Sequence, residues 1–117
     1  MEMVLVGLGG GLGAVSRYLI TQLIRGREFP WATLLVNVLG SFILGLALFS
    51  MATEGLLLFV GVGFCGAFTT FSSFSFQTVG LWERGEPLRA LLYAVGTLVL
   101  ALVGFGAAWG VVLASPL

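Results

Sequence analysis

Side chains that can donate hydrogen bonds are concentrated in one stretch near the middle of the chain, FCGAFTTFSSFSFQT at residues 64–78. They are Thr69, Thr70, Ser72, Ser73, Ser75 and Gln77. The stretch lies within a long apolar run, and a hydrocarbon environment offers a hydroxyl group no partner. So many hydroxyls together therefore predict a face that contacts either a polar path or another helix.

Phenylalanines recur in the same stretch at helical spacing. Phe64, Phe68, Phe71 and Phe74 are four, three and three residues apart, which places them in one stripe if the whole segment is helical. Considered alone, Phe71 and Phe74 favour ordinary packing between helices. The alternative is a path lined by hydroxyls and aromatic edges, without a charged side chain.

The composition predicts an integral membrane protein. Of the 117 residues, 59% are hydrophobic and 9% are charged, and a soluble domain of this length has too small a core to bury so much apolar surface. The net charge is zero, which gives no indication of a nucleic-acid partner. The lipid bilayer of a cell membrane is therefore the expected environment, with the chain crossing it several times.

Four apolar segments are each long enough to cross a bilayer, at about residues 3–24, 31–50, 56–82 and 88–113 of a single domain that spans 1–117. The third segment is longer than a straight spanning helix requires, and Gly61, Gly63 and Gly66 precede its Thr-Thr pair. This predicts an interruption within residues 66–70, which would free backbone carbonyls that can coordinate a cation. We therefore predict an all-α membrane protein of four transmembrane helices, the third interrupted near its middle.

Glycines in the first segment predict close helix packing. Gly7 and Gly11 form one GxxxG pair, and Gly9 and Gly13 form another. Gly9, Gly11 and Ala14 also match a dinucleotide-binding pattern, but the pattern requires a preceding strand and a βαβ unit, and the segment is predicted to lie in lipid.

Two polar residues within apolar segments need an explanation. Arg17 lies inside the first segment, where a charge is costly, so it either extends toward the membrane surface or has a structural or anion-attracting role. Asn37, in the second segment, is the one asparagine of the chain. Its amide could form a hydrogen bond between helices or donate to a permeating ligand, and its position alone favours the bond between helices.

Missing side-chain types narrow the function. The chain has no histidine and one cysteine, Cys65, which excludes a His/Cys metal site and an internal disulfide. All five acidic residues lie at segment ends or turns, so no carboxylate in the membrane can couple transport to protons or activate a serine. We therefore predict passive permeation and not an enzyme. Four short helices barely enclose a path, so we expect a two-fold dimer.

Two other classes of membrane protein share this size. A small four-helix multidrug transporter needs a membrane-embedded carboxylate in its first segment, and residues 3–24 contain none. A structural subunit that only packs against larger complexes would explain the glycines, but it would not explain the hydroxyls clustered in the third segment.

Four stretches together resemble the CrcB/Fluc family of fluoride channels. They are GGGLGAVSRY at 9–18, ATLLVNVLGSFILG at 32–45, GFCGAFTTFSSFSFQT at 63–78 and the turn and helix start at 83–93. The resemblance extends through all four segments. The combination of VNxxG in the second segment with GxxTTFSxF in the third is its most specific part.

The resemblance implies a fluoride-selective channel that lowers cytoplasmic fluoride by passive export. It implies an antiparallel, dual-topology dimer with two pores and a structural Na⁺ at the dimer centre, held by main-chain carbonyls of Gly66 and Thr69. The matching pore positions are Asn37, Thr70, Phe71, Ser72, Ser73 and Phe74, and those at the pore mouths are Tyr93, Thr33 and Thr97. At Gln77 the chain departs from the pattern, because members often carry an acid there.

Arginines are distributed unequally between the turns. Arg25, Arg27, Arg84 and Arg89 lie in the first and third turns, whereas the second turn and the C-terminus have neither lysine nor arginine. The positive-inside rule then places the basic turns in the cytoplasm and both termini outside. An antiparallel homodimer requires both orientations. The alternative is one subunit of a heterodimeric fluoride channel, with a fixed orientation and an oppositely oriented homologous partner.

Overall fold

The computed structural model describes residues 1–24, 29–50 and 52–115, and these form five helices joined by short connections. The helices are α1 (Glu2–Leu23), α2 (Trp31–Phe49), α3 (54–68), α4 (Phe71–Glu83) and α5 (Pro87–Ala114). Within these ranges every regular element is helical, as the sequence predicted.

Four stretches of helix are long and apolar enough to cross a membrane: Glu2–Leu23, Trp31–Phe49, Glu54–Glu83 and Pro87–Ala114. Their ends differ from the segments predicted from sequence by at most two residues. Part of the predicted first turn, residues 25–28 with Arg25 and Arg27, lies outside the described residues, as do residues 51, 116 and 117. We refer to Glu54–Glu83, which comprises α3 and α4, as the third span.

The third span is broken at Thr69 and Thr70, within the predicted range. Both residues have extended backbone, with φ −79° and ψ 160° at Thr69 and φ −149° and ψ 121° at Thr70. Thr70 then caps α4, because its hydroxyl oxygen accepts a hydrogen bond from the Ser73 amide at 3.1 Å. Gly66 remains helical, so the break follows this glycine.

The middle of α3 differs from a regular α-helix. Its nine residues Leu57–Cys65 are π-helical, a wider form stabilised by i→i+5 hydrogen bonds. The apolar sequence of this stretch, LLFVGVGFC, contains no residue that distinguishes a π-helix from an α-helix, and the sequence analysis did not predict it.

Only one of the two GxxxG pairs in α1 makes a close contact within the subunit. Gly9 and Gly13 are buried against α3, and a Cβ atom at either position would overlap the Phe59 or Phe64 carbonyl oxygen. A Cβ atom at Gly7 or Gly11 would meet no described atom within 4 Å. The Gly9–Gly13 face thus sets the separation between α1 and α3.

Candidate functional site at the helix break

Asn37 of α2 is bonded to the break through both ends of its amide. Its Nδ2 donates to the Thr70 carbonyl oxygen at 3.0 Å, and the Thr70 amide donates to its Oδ1 at 2.8 Å. The contact is partly buried and joins residues 33 positions apart in the chain. This is the bond between helices that the position of Asn37 favoured. An amide nitrogen carries two N–H donors, so one is left for a further partner.

The same contact redirects the hydrogen bonds at the break. In an unbroken helix the Thr70 amide would donate to the Gly66 carbonyl, and the Ser73 amide would donate to the Thr69 carbonyl. Here the first donates to Asn37 and the second to the Thr70 hydroxyl. The carbonyls of Gly66 and Thr69 therefore lose their regular helical donors, which makes their oxygens available as ligands for a hard cation.

A cleft of about 670 Å³ opens between α2, the third span and α5. Seven of the predicted ion-site and pore residues line it: Asn37, Gly66, Thr69, Thr70, Phe71, Phe74 and Thr97. Ser72, Ser73, Tyr93 and Thr33 lie outside its lining. Among the residues that the structure describes, no charged side chain belongs to the lining, which is mainly apolar with a few hydroxyl and amide groups.

The break divides the four phenylalanines into two pairs, so the condition for a single stripe, one continuous helix, is not met. Phe64 and Phe68 stack at a centroid distance of 5.2 Å before the break. Phe71 and Phe74 lie 6.0 Å apart after it, and Phe74 continues to the Tyr93 ring at 5.3 Å. A stripe requires one continuous helix, and the extended backbone at Thr69 and Thr70 turns the second half away from the first.

The predicted mouth residues belong to two helices, Thr33 to α2 and Tyr93 and Thr97 to α5. Tyr93 is fully buried, and its hydroxyl donates to Gln77 Oε1 at 2.9 Å. Thr33 and Thr97 are also buried. Thr97 is 4% exposed, and its hydroxyl has no hydrogen-bonding partner among the residues that the structure describes.

Sequence reasoning missed Gln77 as a partner of Tyr93. The glutamine follows Thr70 by seven residues, or about two helical turns, which places both on one side of α4. That spacing, together with the aromatic hydroxyl at the start of the next segment, could have indicated the contact.

Arg17 contacts the break from the opposite direction. Its Nε donates to the Ala67 carbonyl oxygen at 3.1 Å in a partly buried bond. The sequence left open whether Arg17 extends toward the membrane surface or has a structural or anion-attracting role, and this contact favours the structural role.

Family comparison covers nearly the whole chain. The sequence profile of the family described as "CrcB-like protein, Camphor Resistance (CrcB)" matches residues 4–111. The chain belongs to this family. The resemblance seen in its motifs is thereby confirmed, and the matched region includes the break, the cleft and Arg17.

Individual relatives in this family carry a functional name. The protein "Fluoride-specific ion channel FluC 2" of Haloarcula marismortui is 56% identical over 108 residues, covering 92% of this chain and 91% of its own length. "Fluoride-specific ion channel FluC" of Thermus thermophilus is 50% identical over 106 residues, covering 84% of each chain. "Fluoride-specific ion channel FluC 2" of Clostridium acetobutylicum is 37% identical over 108 residues, covering 90% and 92%.

Proposed function

We propose that this multi-pass membrane protein is a fluoride-selective ion channel that lowers cytoplasmic fluoride by passive export. The observation that carries the proposal is the grouping of the Asn37 amide, the Thr70 backbone and the Phe71 and Phe74 rings along one uncharged cleft. The printed names of relatives up to 56% identical support the choice of ion.

The chemistry of the cleft suits a small, strongly hydrated anion. Such an ion gives up its water only where short hydrogen bonds replace it, and hydroxyl and amide groups supply those donors. Phenyl rings carry a positive edge, which attracts an anion without a full charge. A lysine or arginine in the lining would bind the anion tightly and slow its release, and neither is found among the described residues that line the cleft.

The cleft is only partly enclosed in a single subunit, and we propose that a second, oppositely oriented copy covers it. The proposed antiparallel dimer contains two such paths. The unequal distribution of arginines between the turns supports an alternative to the homodimer, in which the oppositely oriented subunit is a homologous chain. The third possibility, a multidrug transporter, requires a membrane carboxylate, and the acidic residue of α1, Glu2, lies in its first turn.

The proposed structural Na⁺ fits the oxygens at the break. Gly66 and Thr69 have carbonyls whose helical donors are redirected, and each subunit of a dimer would contribute this pair. Neutral carbonyl oxygens are suitable ligands for a hard alkali cation. When bound, the ion supplies a positive charge at the dimer centre that offsets the cost of an anion in a region of low dielectric constant.

Ion efflux from liposomes tests the proposed function. Vesicles loaded with potassium fluoride or potassium chloride are treated with valinomycin, and the released anion is measured with an ion-selective electrode. We expect fast release of fluoride. Chloride release should stay close to that of vesicles without the protein. Fluoride release equal to that of empty vesicles would refute a channel formed by this chain alone. Equal release of both anions would refute selectivity.

A further inference from the structure

The break leaves the Ala67 carbonyl without its donor from within the helix. In an unbroken helix its donor would be the amide of Phe71, four residues later. Phe71 is instead the first residue of α4, and α3 ends at Phe68. Carbonyls in the last turn of a helix lack internal partners and carry its negative dipole end, so they favour a cationic donor.

The Gly9–Gly13 face of α1 places such a donor at the break. Gly9 lies against Phe59 and Gly13 against Phe64, and Arg17, the next residue in the same four-residue series, reaches Ala67. Substitution of either glycine would separate the two helices and withdraw the guanidinium. Packing at Gly9 and Gly13 thus determines a contact that Arg17 makes at the break.

From this geometry we infer that Arg17 is a positioning residue that holds the third span in its broken form. If residues 66–71 closed into a continuous helix, the Phe71 amide would occupy the Ala67 carbonyl. Arg17 would then lose an acceptor while it remained partly buried in an apolar segment. The ion pairs among the described residues involve Arg84, Arg89 and Glu86, so no carboxylate there replaces the Ala67 contact.

Two side chains therefore act on opposite sides of the same break. Arg17 of α1 bonds the carbonyl of Ala67 before it, and Asn37 of α2 bonds the amide and the carbonyl of Thr70 after it. Both contacts involve backbone groups that a closed helix would pair internally. Arg17 does not line the cleft, so its effect on permeation is exerted through the backbone that carries Thr70 and Phe71.

Three substitutions separate the hydrogen bond from the charge. Arg17→Gln places an amide nitrogen at the chain position of the arginine Nε, which keeps the donor and removes the charge. Arg17→Met keeps the length and removes both. Arg17→Lys keeps the charge but moves the nitrogen further along the chain. Tyr18→Phe is the matched control, because Tyr18 is exposed and adjacent on α1.

The first readout is independent of ion flux. The chain has ten phenylalanines, so labelling with ¹⁵N-phenylalanine gives ten backbone amide signals. The signal of Phe71 is identified as the one that disappears in the Phe71→Ile variant. We expect its hydrogen exchange to slow at least about tenfold in Arg17→Met, because the amide gains the Ala67 acceptor. Arg17→Gln and Tyr18→Phe should stay within about twofold of wild type.

Fluoride efflux is the second readout and rests on the proposed function. It should fall at least about tenfold in Arg17→Met and stay within about twofold in Arg17→Gln. The inference would be overturned if hydrogen exchange at the Phe71 amide were unchanged in Arg17→Met. It would also be overturned if Arg17→Gln lost fluoride efflux while Arg17→Lys kept it. If the Arg17→Met variant does not fold, hydrogen exchange and fluoride efflux in Arg17→Gln still test the inference. If wild type releases no fluoride, the proposed function fails, and the exchange data still decide the role of Arg17.

Discussion

Asn37 and Thr70 exchange two hydrogen bonds across the break in the third span, at 3.0 Å and 2.8 Å. The side-chain amide thus gives the Thr70 amide an acceptor in place of the Gly66 carbonyl of a continuous helix, and it adds a donor to the Thr70 carbonyl. One residue of α2 therefore stabilises the broken conformation and orients the threonine that caps α4. The predictions below separate this structural contribution from the proposed permeation path.

Replacing Asn37 with leucine should destabilise the subunit. Leucine has a similar size but leaves the Thr70 amide without its acceptor and removes the side-chain donor to the Thr70 carbonyl, a loss of about 1–3 kcal/mol for partly buried groups. Unfolding in increasing mole fractions of dodecyl sulfate would measure it. The control is Ser41→Ala, one turn further along α2, which removes only the bond from Ser41 to the Asn37 carbonyl. Equal stability of the two variants would contradict the role of the Asn37–Thr70 pair.

Phe71 and Phe76 provide a matched test of the aromatic element. Both belong to α4 and are equally exposed in one subunit, at 80% and 81%, but only Phe71 lines the cleft. We expect Phe71→Ile to reduce fluoride efflux at least about tenfold, because isoleucine lacks the positive ring edge. Phe76→Ile should conduct like wild type. Similar efflux in both variants would show that the ring of Phe71 takes no part in permeation.

The two GxxxG pairs of α1 should differ in their tolerance of a methyl group. In Gly13→Ala the new Cβ atom would overlap the Phe64 carbonyl oxygen, which is backbone and unable to yield, so overpacking should cost about 1–3 kcal/mol. In Gly11→Ala the methyl group enters open space within the subunit. Detergent unfolding should therefore separate the two variants. If wild type elutes as the proposed dimer on size exclusion and Gly11→Ala alone does not, the face that carries Gly11 belongs to the contact between subunits.

Removing sodium should weaken the protein if the carbonyls of Gly66 and Thr69 bind the proposed ion. A ligand that binds only the folded state raises its stability with concentration, by about 2.7 kcal/mol at a hundred times the dissociation constant. We expect the thermal midpoint and the fluoride efflux to fall when sodium is replaced by N-methylglucamine at constant ionic strength. Identical midpoints in both salts would exclude a stabilising sodium site.

Subunit orientation can be read from cysteines at opposite ends of the third span. Glu54→Cys and Arg84→Cys, in a Cys65→Ala background, introduce thiols at two exposed positions. In an antiparallel homodimer, an impermeant maleimide added outside should label each site in about half of the chains, because each chain inserts in both orientations. Labelling of one site only would indicate a fixed orientation, and with it a heterologous partner.

Much of the architecture followed from the sequence because it depends on local properties. Hydropathy and length predicted four membrane helices, since each span must satisfy its own backbone in lipid. Excess length, Gly66 and the threonine pair indicated a break within 66–70. Extended backbone suits the β-branched Thr69 and Thr70, and Thr70 supplies its own helix cap.

The tertiary structure decided which groups meet at that break. Asn37 and Arg17 are separated from it by 33 and 50 residues, and no local pattern specifies contacts at such distances. The same holds for the choice of Gly9 and Gly13 over Gly7 and Gly11, because both pairs share one spacing and only the position of α3 distinguishes them. Sequence determined the helices and the place where one of them breaks, since these depend on neighbouring residues. The contacts that hold the break open depend on how separate helices pack.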